Sequence, residues 1–340
     1  MAEQSAATPA SVPQATELPG LVWGFRFDED GAATPLDGPA ALAAMEAGEL
    51  WIWLHFNLVD ERAVAALASL PHIPAAARDL LLGTDDRQRL ETVGHVLAGV
   101  VSDFERADDL DPRRMLPWRF CMMPHAFISA RRSPLHTMAT VHDAVKAGRR
   151  FTGVLQLFDG IVHGYASALA AVVHEMAIEL DEVEDGLLDE RETGDHELLG
   201  KLRRHAVRLH RQALPLRALL RALLEERPAW FTDPAARDCE QVAQRVDSVV
   251  ADLVALQERA RALQDEFNAR QTELTNRRLM LLSVFSAVLL PPTLISGIFG
   301  MNVDGLPLKD ASPYGFVLTM VMMGVSILAL MVAMRRTKLI

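Results

Sequence analysis

The hydrophobic pattern ends in a pair of uncharged apolar runs. Residues 279–299 and 314–334 each form a run of 21 residues without a charged side chain, and the 14 residues 300–313 separate them. About 20 apolar residues in a helix cross the hydrocarbon core of a bilayer, so each run is long enough to span it once. The pattern predicts two transmembrane helices, residues 279–299 and 314–334, joined by a short external loop, residues 300–313.

Basic residues flank this hairpin on both ends. Arg277 and Arg278 precede the first run and a basic tail, residues 335–340, follows the second, whereas Lys309 is the loop's single basic residue. Because Lys and Arg are enriched on the cytoplasmic side of membrane helices, we expect a multi-pass protein of the inner (plasma) membrane with both termini in the cytoplasm. The alternative, two buried helices of a soluble protein, does not explain the basic flanks.

Before the hairpin, apolar residues recur every three or four positions, as in helices packed along their length. Residues 161–231 predict an antiparallel helical hairpin with an acidic first helix and a basic second one. A helix start at Thr232-Asp233-Pro234 opens a stalk, residues 232–278, with no breaker before Pro291. Continued to residue 299, this helix would be about 100 Å long. The seam residues of the second hairpin helix and of the stalk are Leu199, Leu202, Ala206, Leu209, Ala213, Leu216, Leu220, Leu223, Val242, Val246, Val249, Leu253, Leu256, Ala260, Leu263, Phe267 and Leu274.

The first half of the chain has a different texture, with short apolar runs separated by helical segments. After a leader rich in Ala, Ser, Thr and Pro, residues 1–20, that we expect to be disordered, this texture predicts an α/β domain, residues 21–160. The expected strands are residues 21–27, 49–58, 93–105, 119–131 and 151–158, and the expected helices are 60–70, 74–83 and 133–148. Taken together, the fold class is an α/β cytoplasmic domain followed by a long helical stalk and two C-terminal transmembrane helices.

Composition limits the function classes. The net charge of −11 argues against nucleic-acid binding, because phosphates would be repelled. The two cysteines, Cys121 and Cys239, are far apart and suggest neither a disulfide framework nor a thiolate zinc site. The sequence contains no Gly-rich phosphate loop and no nucleophile elbow, so we expect no enzyme activity and no cofactor.

One acidic segment is a candidate metal site. Glu175, Glu179 and Glu182 fall on one face of a predicted helix with His174 beside them, and carboxylate oxygens are ligands for divalent cations. The competing interpretation, a solvated charged face, is the usual one for a long helix.

The first membrane helix contains a polar stripe. Leu279, Leu282 (with Ser283), Ser286, Leu290 and Thr293 recur at helical spacing and lead to Asn302 in the loop. Two spans cannot enclose a pore alone, so several copies would have to surround an axis. Hydroxyls, and main-chain carbonyls freed at Pro291 and Pro292, would then offer uncharged oxygen ligands to a largely hydrated ion, between leucine rings that act as gates. The alternative is that Ser and Thr only help the helices to pack.

Gly300-Met301-Asn302 at the outer end of the first span, before a short loop and a final span, resembles the CorA superfamily of divalent-cation transporters. The resemblance extends over nearly the whole chain from residue 21. It implies a homopentameric funnel with the first spans around the pore, Asn302 as the outer selectivity ring and Thr293 as a hydroxyl ring. It also implies hydrophobic gates at Leu290, Leu282 and Leu279, a tight turn at Gly300, and Met301 shaping the mouth.

Within that superfamily, the wording GMNVDGLP and the strand-like WIWLHFN resemble the ZntB-like, zinc-transporting branch, and the acidic Met-Pro-Glu-Leu loop of the magnesium branch is missing. Asp304 departs from the zinc pattern, which has Gly there, and would add carboxylates at the pore mouth. The resemblance therefore implies transport of Zn, with Mg, Co, Ni and Cd as further cations and proton coupling as an open question. A magnesium or cobalt channel gated by cytosolic metal, and a non-conducting coiled-coil scaffold, remain as alternatives.

Overall fold

The computed structural model describes residues 18–48, 50–70, 72–188, 195–225, 227–301 and 314–336. The chain divides into two compact units, Met1–Leu263 and Gln264–Ile340. Predictions made for the leader, for most of the loop 300–313 and for the end of the tail lie largely outside the described residues.

Seven strands of the described chain form one sheet in the first unit, in the order β2-β1-β3-β7-β6-β5-β4. Neighbours pair antiparallel except β3 and β7, which are parallel, with Ile52 opposite Ala126 and Asn57 opposite Arg131. The strands are β1 (Leu21–Phe27), β2 (Ala33–Pro35), β3 (Trp51–Asn57), β4 (Arg89–Val93), β5 (Val96–Phe104), β6 (Met115–Met123) and β7 (Ala126–Arg131).

Helices cover both faces of this sheet, because its buried strands alternate apolar side chains between the two sides. Three short helices, α1 (Gly38–Ala47), α2 (Glu61–Ser69) and α3 (Ala75–Leu82), enclose a core on one face that includes Ile52, Leu54 and Ile128. On the other face, Trp53, Phe120 and Phe127 pack towards α4 (His136–Lys146) and α5 (Val154–Leu188). The expected α/β architecture is confirmed.

Two of the expected strands are wrong. Residues 154–158 are the start of α5 instead of part of a strand, because Val154, Leu157, Phe158 and Ile161 continue the helical spacing of the residues that follow. Residues 119–131 contain parts of two strands, β6 and β7, which turn at residues 124–125 without a Gly or Asn to mark the turn. The pattern also did not predict β2, β4 or α1.

A three-helix bundle completes the first unit. It consists of α5, α6 (Asp195–Glu225) and the first part of α7 (Asp233–Phe299). All the expected seam residues of α6 are buried, as are those of α7 as far as Leu263, whereas Leu274 is 41% exposed. The stalk and the first membrane run are one helix of 67 residues.

Ion pairs give the directions of these helices. Arg259 of α7 contacts Asp181 at 2.7 Å and Glu184 at 2.6 Å on α5, and Asp247 contacts Arg217 and Arg221 of α6 at 2.6 Å each. We expected the acidic α5 and the basic α6 to neutralise each other, but these pairs join both helices to α7. Gln257, ten residues after Asp247 on α7, donates to the main-chain oxygen of Ala206, which precedes Arg217 and Arg221 on α6, so α6 runs antiparallel to α7.

The second unit contains the end of α7 and α8 (Gly315–Arg336). Among the described residues, three helices are long and apolar enough to cross a membrane, namely α5, α7 and α8. The apolar window of α5 is 50% buried inside the folded protein, whereas the windows of α7 and α8 have no buried residues. A helix buried in protein needs no lipid, so α7 and α8 are the membrane candidates.

Candidate ion pathway

The end of α7 presents an exposed stripe at the positions expected from the sequence. Leu279, Leu282 and Leu290 are 55%, 64% and 66% exposed, and Ser286 and Thr293 are exposed between and beyond them. Steps of three and four residues place these five side chains on one side of the helix. The structure therefore brings the sequence-predicted lining residues together, and no charged residue interrupts the stripe.

A shallow groove follows the outer part of this stripe. Sequence reasoning named four of its residues, and it missed Leu289, Leu294, Gly297 and Ile298. Gly297 lies one helical turn after Thr293, so the sequence could have indicated open space beside the Thr293 hydroxyl. A Cβ at Gly297 would have no neighbour within 4 Å. The groove is lined by Ser286, Leu289, Leu290, Thr293, Leu294, Gly297, Ile298 and Met301.

The hydroxyl group of Thr293 is oriented by its own helix. Its Oγ1 donates to the main-chain oxygen of Leu289 at 2.7 Å. A hydroxyl has one hydrogen and two lone pairs, so this bond commits the hydrogen and leaves the oxygen as an acceptor. An acceptor oxygen on an exposed stripe suits a water molecule in the shell of a hydrated cation, because that water donates outward from the metal.

Pro291 and Pro292 lie on a different face of α7. Prolines lack the amide hydrogen, so the carbonyls four residues earlier, at Ala287 and Val288, lose their helical partners. All four residues are half-buried, whereas the stripe through Leu290 is exposed. These residues therefore lie on a face different from that of the stripe, and the expectation that their carbonyls line the ion path stays a prediction.

The C-terminal end of α7 closes at Gly300. Its N–H donates to the main-chain oxygen of Ser296 at 2.9 Å, and a Cβ at Gly300 would lie 3.0 Å from that oxygen. This contact is tighter than a side chain normally accepts, which explains a glycine here. Met301 follows and is 51% exposed, while Asn302 and Asp304 lie outside the described residues.

The acidic candidate site is dispersed. Glu175, Glu179 and Glu182 are all exposed on α5, as is His174. Within the described ranges, no group of three His, Cys, Asp or Glu side chains could hold a metal ion. Two other acidic residues of α5, Asp181 and Glu184, form ion pairs with Arg259.

Comparison with known families identifies the class of protein to which the two apolar helices belong. The model of the family described as CorA-like Mg2+ transporter protein matches residues 48–336. This chain belongs to that family. The resemblance inferred from Gly-Met-Asn is thereby confirmed, and the chain is a divalent cation transporter and not an enzyme.

Curated relatives cover almost the same length. The zinc transport protein ZntB of Yersinia pseudotuberculosis serotype O:1b is 23% identical over 325 residues, 96% of this chain and 98% of that protein. The divalent cation transporter CmaX of Pseudomonas aeruginosa is 28% identical over 311 residues, 90% of this chain and 92% of that protein. The name of ZntB thus specifies zinc, whereas the name of CmaX specifies only divalent cations.

Solved structures share the fold. Full-length CmaX superposes with a TM-score of 0.82 at 25% identity, covering 96% of this chain and 100% of CmaX. The CorA magnesium transporter of Methanocaldococcus jannaschii has a TM-score of 0.76 at 18% identity, covering 94% and 99%. Both similarities extend over the α/β domain, the stalk and the membrane helices, so the expected CorA-like fold class is confirmed.

Proposed function

We propose that this transporter moves zinc as a hydrated ion through a central pore formed by five copies of the chain. The observation that carries the proposal is the uncharged, exposed stripe of α7, with a hydroxyl acceptor at Thr293, one step beyond the leucine positions. The hydroxyl groups of this stripe would be unfavourable facing lipid. They would instead face a water-filled path if neighbouring copies turned the same face of α7 towards a common axis.

The chemistry of the stripe favours passage of a hydrated ion. Zn and Mg hold their first-shell ligands strongly, and replacing those waters requires several oxygen, nitrogen or sulfur ligands at about 2.0–2.3 Å. The stripe supplies hydroxyl oxygens and no carboxylate. Asn302, with its amide oxygen, would form the selectivity ring, Asp304 would attract cations at the mouth, and Leu290, Leu282 and Leu279 would gate the path by excluding water.

Zinc is proposed because ZntB, which matches 96% of this chain, is named a zinc transport protein, and because the loop lacks the Met-Pro-Glu-Leu sequence of the magnesium branch. Magnesium is the second candidate, favoured by the family's own description and by Asp304, which adds negative charge at the mouth. A non-conducting scaffold is not retained, because it does not fit membership of a transporter family. With basic flanks on both ends of the hairpin, we place both termini in the cytoplasm at the inner membrane.

The test is metal uptake by proteoliposomes that contain the purified full-length protein, with zinc and magnesium compared at two pH gradients. Uptake of zinc in preference to magnesium is the expected result. Asn302→Ala should reduce it at least about tenfold, which corresponds to about 1.4 kcal/mol of lost stabilisation in the pore. Magnesium uptake that internal magnesium shuts off would favour the second candidate.

A matched pair of variants tests the stripe itself. Thr293 on α7 and Thr319 on α8 each donate a hydroxyl to the carbonyl oxygen four residues earlier, at 2.7 Å and 2.9 Å. Thr→Val therefore makes the same local change in both helices. We expect Thr293→Val to slow zinc uptake and Thr319→Val to leave it unchanged; equal effects would remove Thr293 from the ion path.

A further inference from the structure

The carboxyl ends of β3 and β7 form an unusual position in the sheet. These two strands are the parallel pair among the described strands, and β1 and β2 lie on one side of them while β6, β5 and β4 lie on the other. The helices that follow, α2 after β3 and α4 after β7, pack on opposite faces of the sheet. Open α/β sheets bind ligands in the crevice at such a point, outside the carboxyl ends of the strands.

An arginine stands at this crevice. Arg131 is the last residue of β7, opposite Asn57 at the end of β3. Its Nε donates to Nε2 of His55 at 3.0 Å. A guanidinium group can only donate, so Nε2 of His55 is unprotonated and the ring carries its hydrogen on Nδ1, which donates to Ser129 Oγ at 2.8 Å.

The partners of Arg131 are fixed in turn. His55 and Ser129 are fully buried, Trp53 Nε1 donates to the same Ser129 oxygen at 3.0 Å, and the ring of Trp23 stacks on His55 at 4.0 Å. This network holds one edge of the guanidinium group in place. Arg131 is consequently pre-organised and half-buried, which lowers the entropy that a ligand has to overcome on binding.

Two more basic residues lie near this edge of the sheet. Arg106 N donates to Pro134 O at 3.0 Å, and Glu105 pairs with Leu135 as an isolated β-bridge, so the connection after β5 lies beside the start of α4. Burial and the charge of Arg106 lower the pKa of both Arg131 and His136. Two positive charges, those of Arg106 and Arg131, therefore lie near each other in a chain whose net charge is −11, with the imidazole of His136 beside them.

No acidic group in the described part of the chain offsets these charges by a direct ion pair. The adjacent Glu105 contacts Arg114 at 2.6 Å. Asp103 is buried and accepts from Thr137 N at 2.9 Å and Thr137 Oγ1 at 2.7 Å, so it serves the start of α4. The amides of that helix start are thereby used, and the arginines remain as the groups available to an incoming anion.

We propose that Arg131, Arg106 and His136 bind a phosphate-type anion at the carboxyl ends of β3 and β7. Arginine recognises phosphate oxygens with several parallel N–H donors, and a half-buried guanidinium group strengthens such bonds because water screens them less. The anion would be free inorganic phosphate or the phosphate group of a nucleotide, which share this chemistry. The site is distinct from the ion path and does not depend on the proposed cation.

The test is isothermal titration calorimetry of the full-length protein in detergent with inorganic phosphate, at constant ionic strength set with chloride and with EDTA present. Wild-type protein should bind phosphate. Arg106→Gln, an exposed position, should weaken binding at least about tenfold, as expected for loss of a charge-assisted hydrogen bond. The matched control is Arg113→Gln, in the same β5–β6 connection, because Arg113 already pairs with Asp111 at 2.9 Å; its affinity should change less than about twofold.

A second titration identifies the source of the phosphate. If metal-free ATP competes with inorganic phosphate, the site binds the phosphate group of a nucleotide. If it does not compete, the site binds free inorganic phosphate. Both results support the site. Absence of phosphate binding in the wild-type protein overturns the proposal. Equal affinities of the Arg106→Gln and Arg113→Gln variants also overturn it, provided that both unfold at the wild-type temperature.

Discussion

Asp159 offers a quantitative test of the packing between α5 and α7. It lines a small cavity with apolar residues of α5, α6 and α7 and with Cys239, and its buried Oδ1 has no hydrogen-bond partner among the described residues. Burial and the neighbouring Asp238 raise the pKa of Asp159 from 3.8 to about 6, although Arg149 opposes the shift. The perturbation is Asp159→Asn, which keeps the shape and removes the charge.

The sign follows from proton linkage. Because the folded protein holds this proton more tightly than the unfolded chain, the stabilisation is complete below pH 3.8 and is lost as the pH rises through about 6. The rise in the pKa of Asp159 from 3.8 to about 6 corresponds to about 3 kcal/mol. Asp159 is only half-buried, and solvent screening reduces this to about 1 kcal/mol. We therefore expect Asp159→Asn to stabilise the protein by about 1 kcal/mol at pH 7.5, by about half as much at pH 5, and hardly at all below pH 3.8.

The assay is thermal unfolding of the full-length protein in detergent between pH 5 and 8. For a folded unit of this size, about 1 kcal/mol corresponds to a rise of about 2–4 °C in Tm. Asp252→Asn is the control, because Asp252 is exposed on α7 and loses the same charge. A gain that is equal at pH 5 and pH 7.5, or a loss of stability at pH 7.5, would refute the reasoning.

Two further predictions concern stability. Leu253→Ala, in the fully buried seam of α7, should lower the free energy of unfolding by about 2–5 kcal/mol. Val254→Ala, at the neighbouring position, which is 39% exposed, should change it by less than about 1 kcal/mol. Both effects are measured as shifts in Tm, and equal shifts would contradict the assignment of Leu253 to the buried seam. Burial, Arg131 and His142 lower the pKa of His55 well below its usual 6.5. Stability should therefore fall as the pH drops below 6.5, because the unfolded chain takes up the proton and the folded protein does not. His55→Gln should remove that part of the pH dependence of Tm. A variant whose Tm falls with acid as steeply as that of the wild-type protein would contradict this prediction.

Long, regular patterns made the helical part of the fold predictable. The rhythm of apolar residues in α7 continues over many turns, and Thr232-Asp233-Pro234 marks its start, so one helix was expected and one was found. Short segments were less certain. Residues 151–158 look like a strand when taken alone, and only the apolar positions beyond residue 158 reveal the helical spacing. The three-residue β2 is too short to have a period at all.

Contacts between distant segments were beyond a reading of the sequence. Nothing near Arg131 in the sequence indicates that it would donate to His55, which is 76 residues away. The ion pairs of Asp247 and Arg259 likewise depend on how three helices are arranged, and the charges of α5 and α6 alone suggested a different pairing.

The ion path illustrates both situations within one turn of helix. The spacing of Leu290 and Thr293 fixed their common face, because a helix that passes through this segment leaves little freedom. The same geometry places Pro291 and Pro292 on the covered side, a placement that the count of lost amide bonds alone did not reveal. Pro291 and Pro292 therefore lie on the covered face of α7, whereas Thr293 presents its hydroxyl oxygen on the exposed stripe, where our proposal puts the ion's hydration shell.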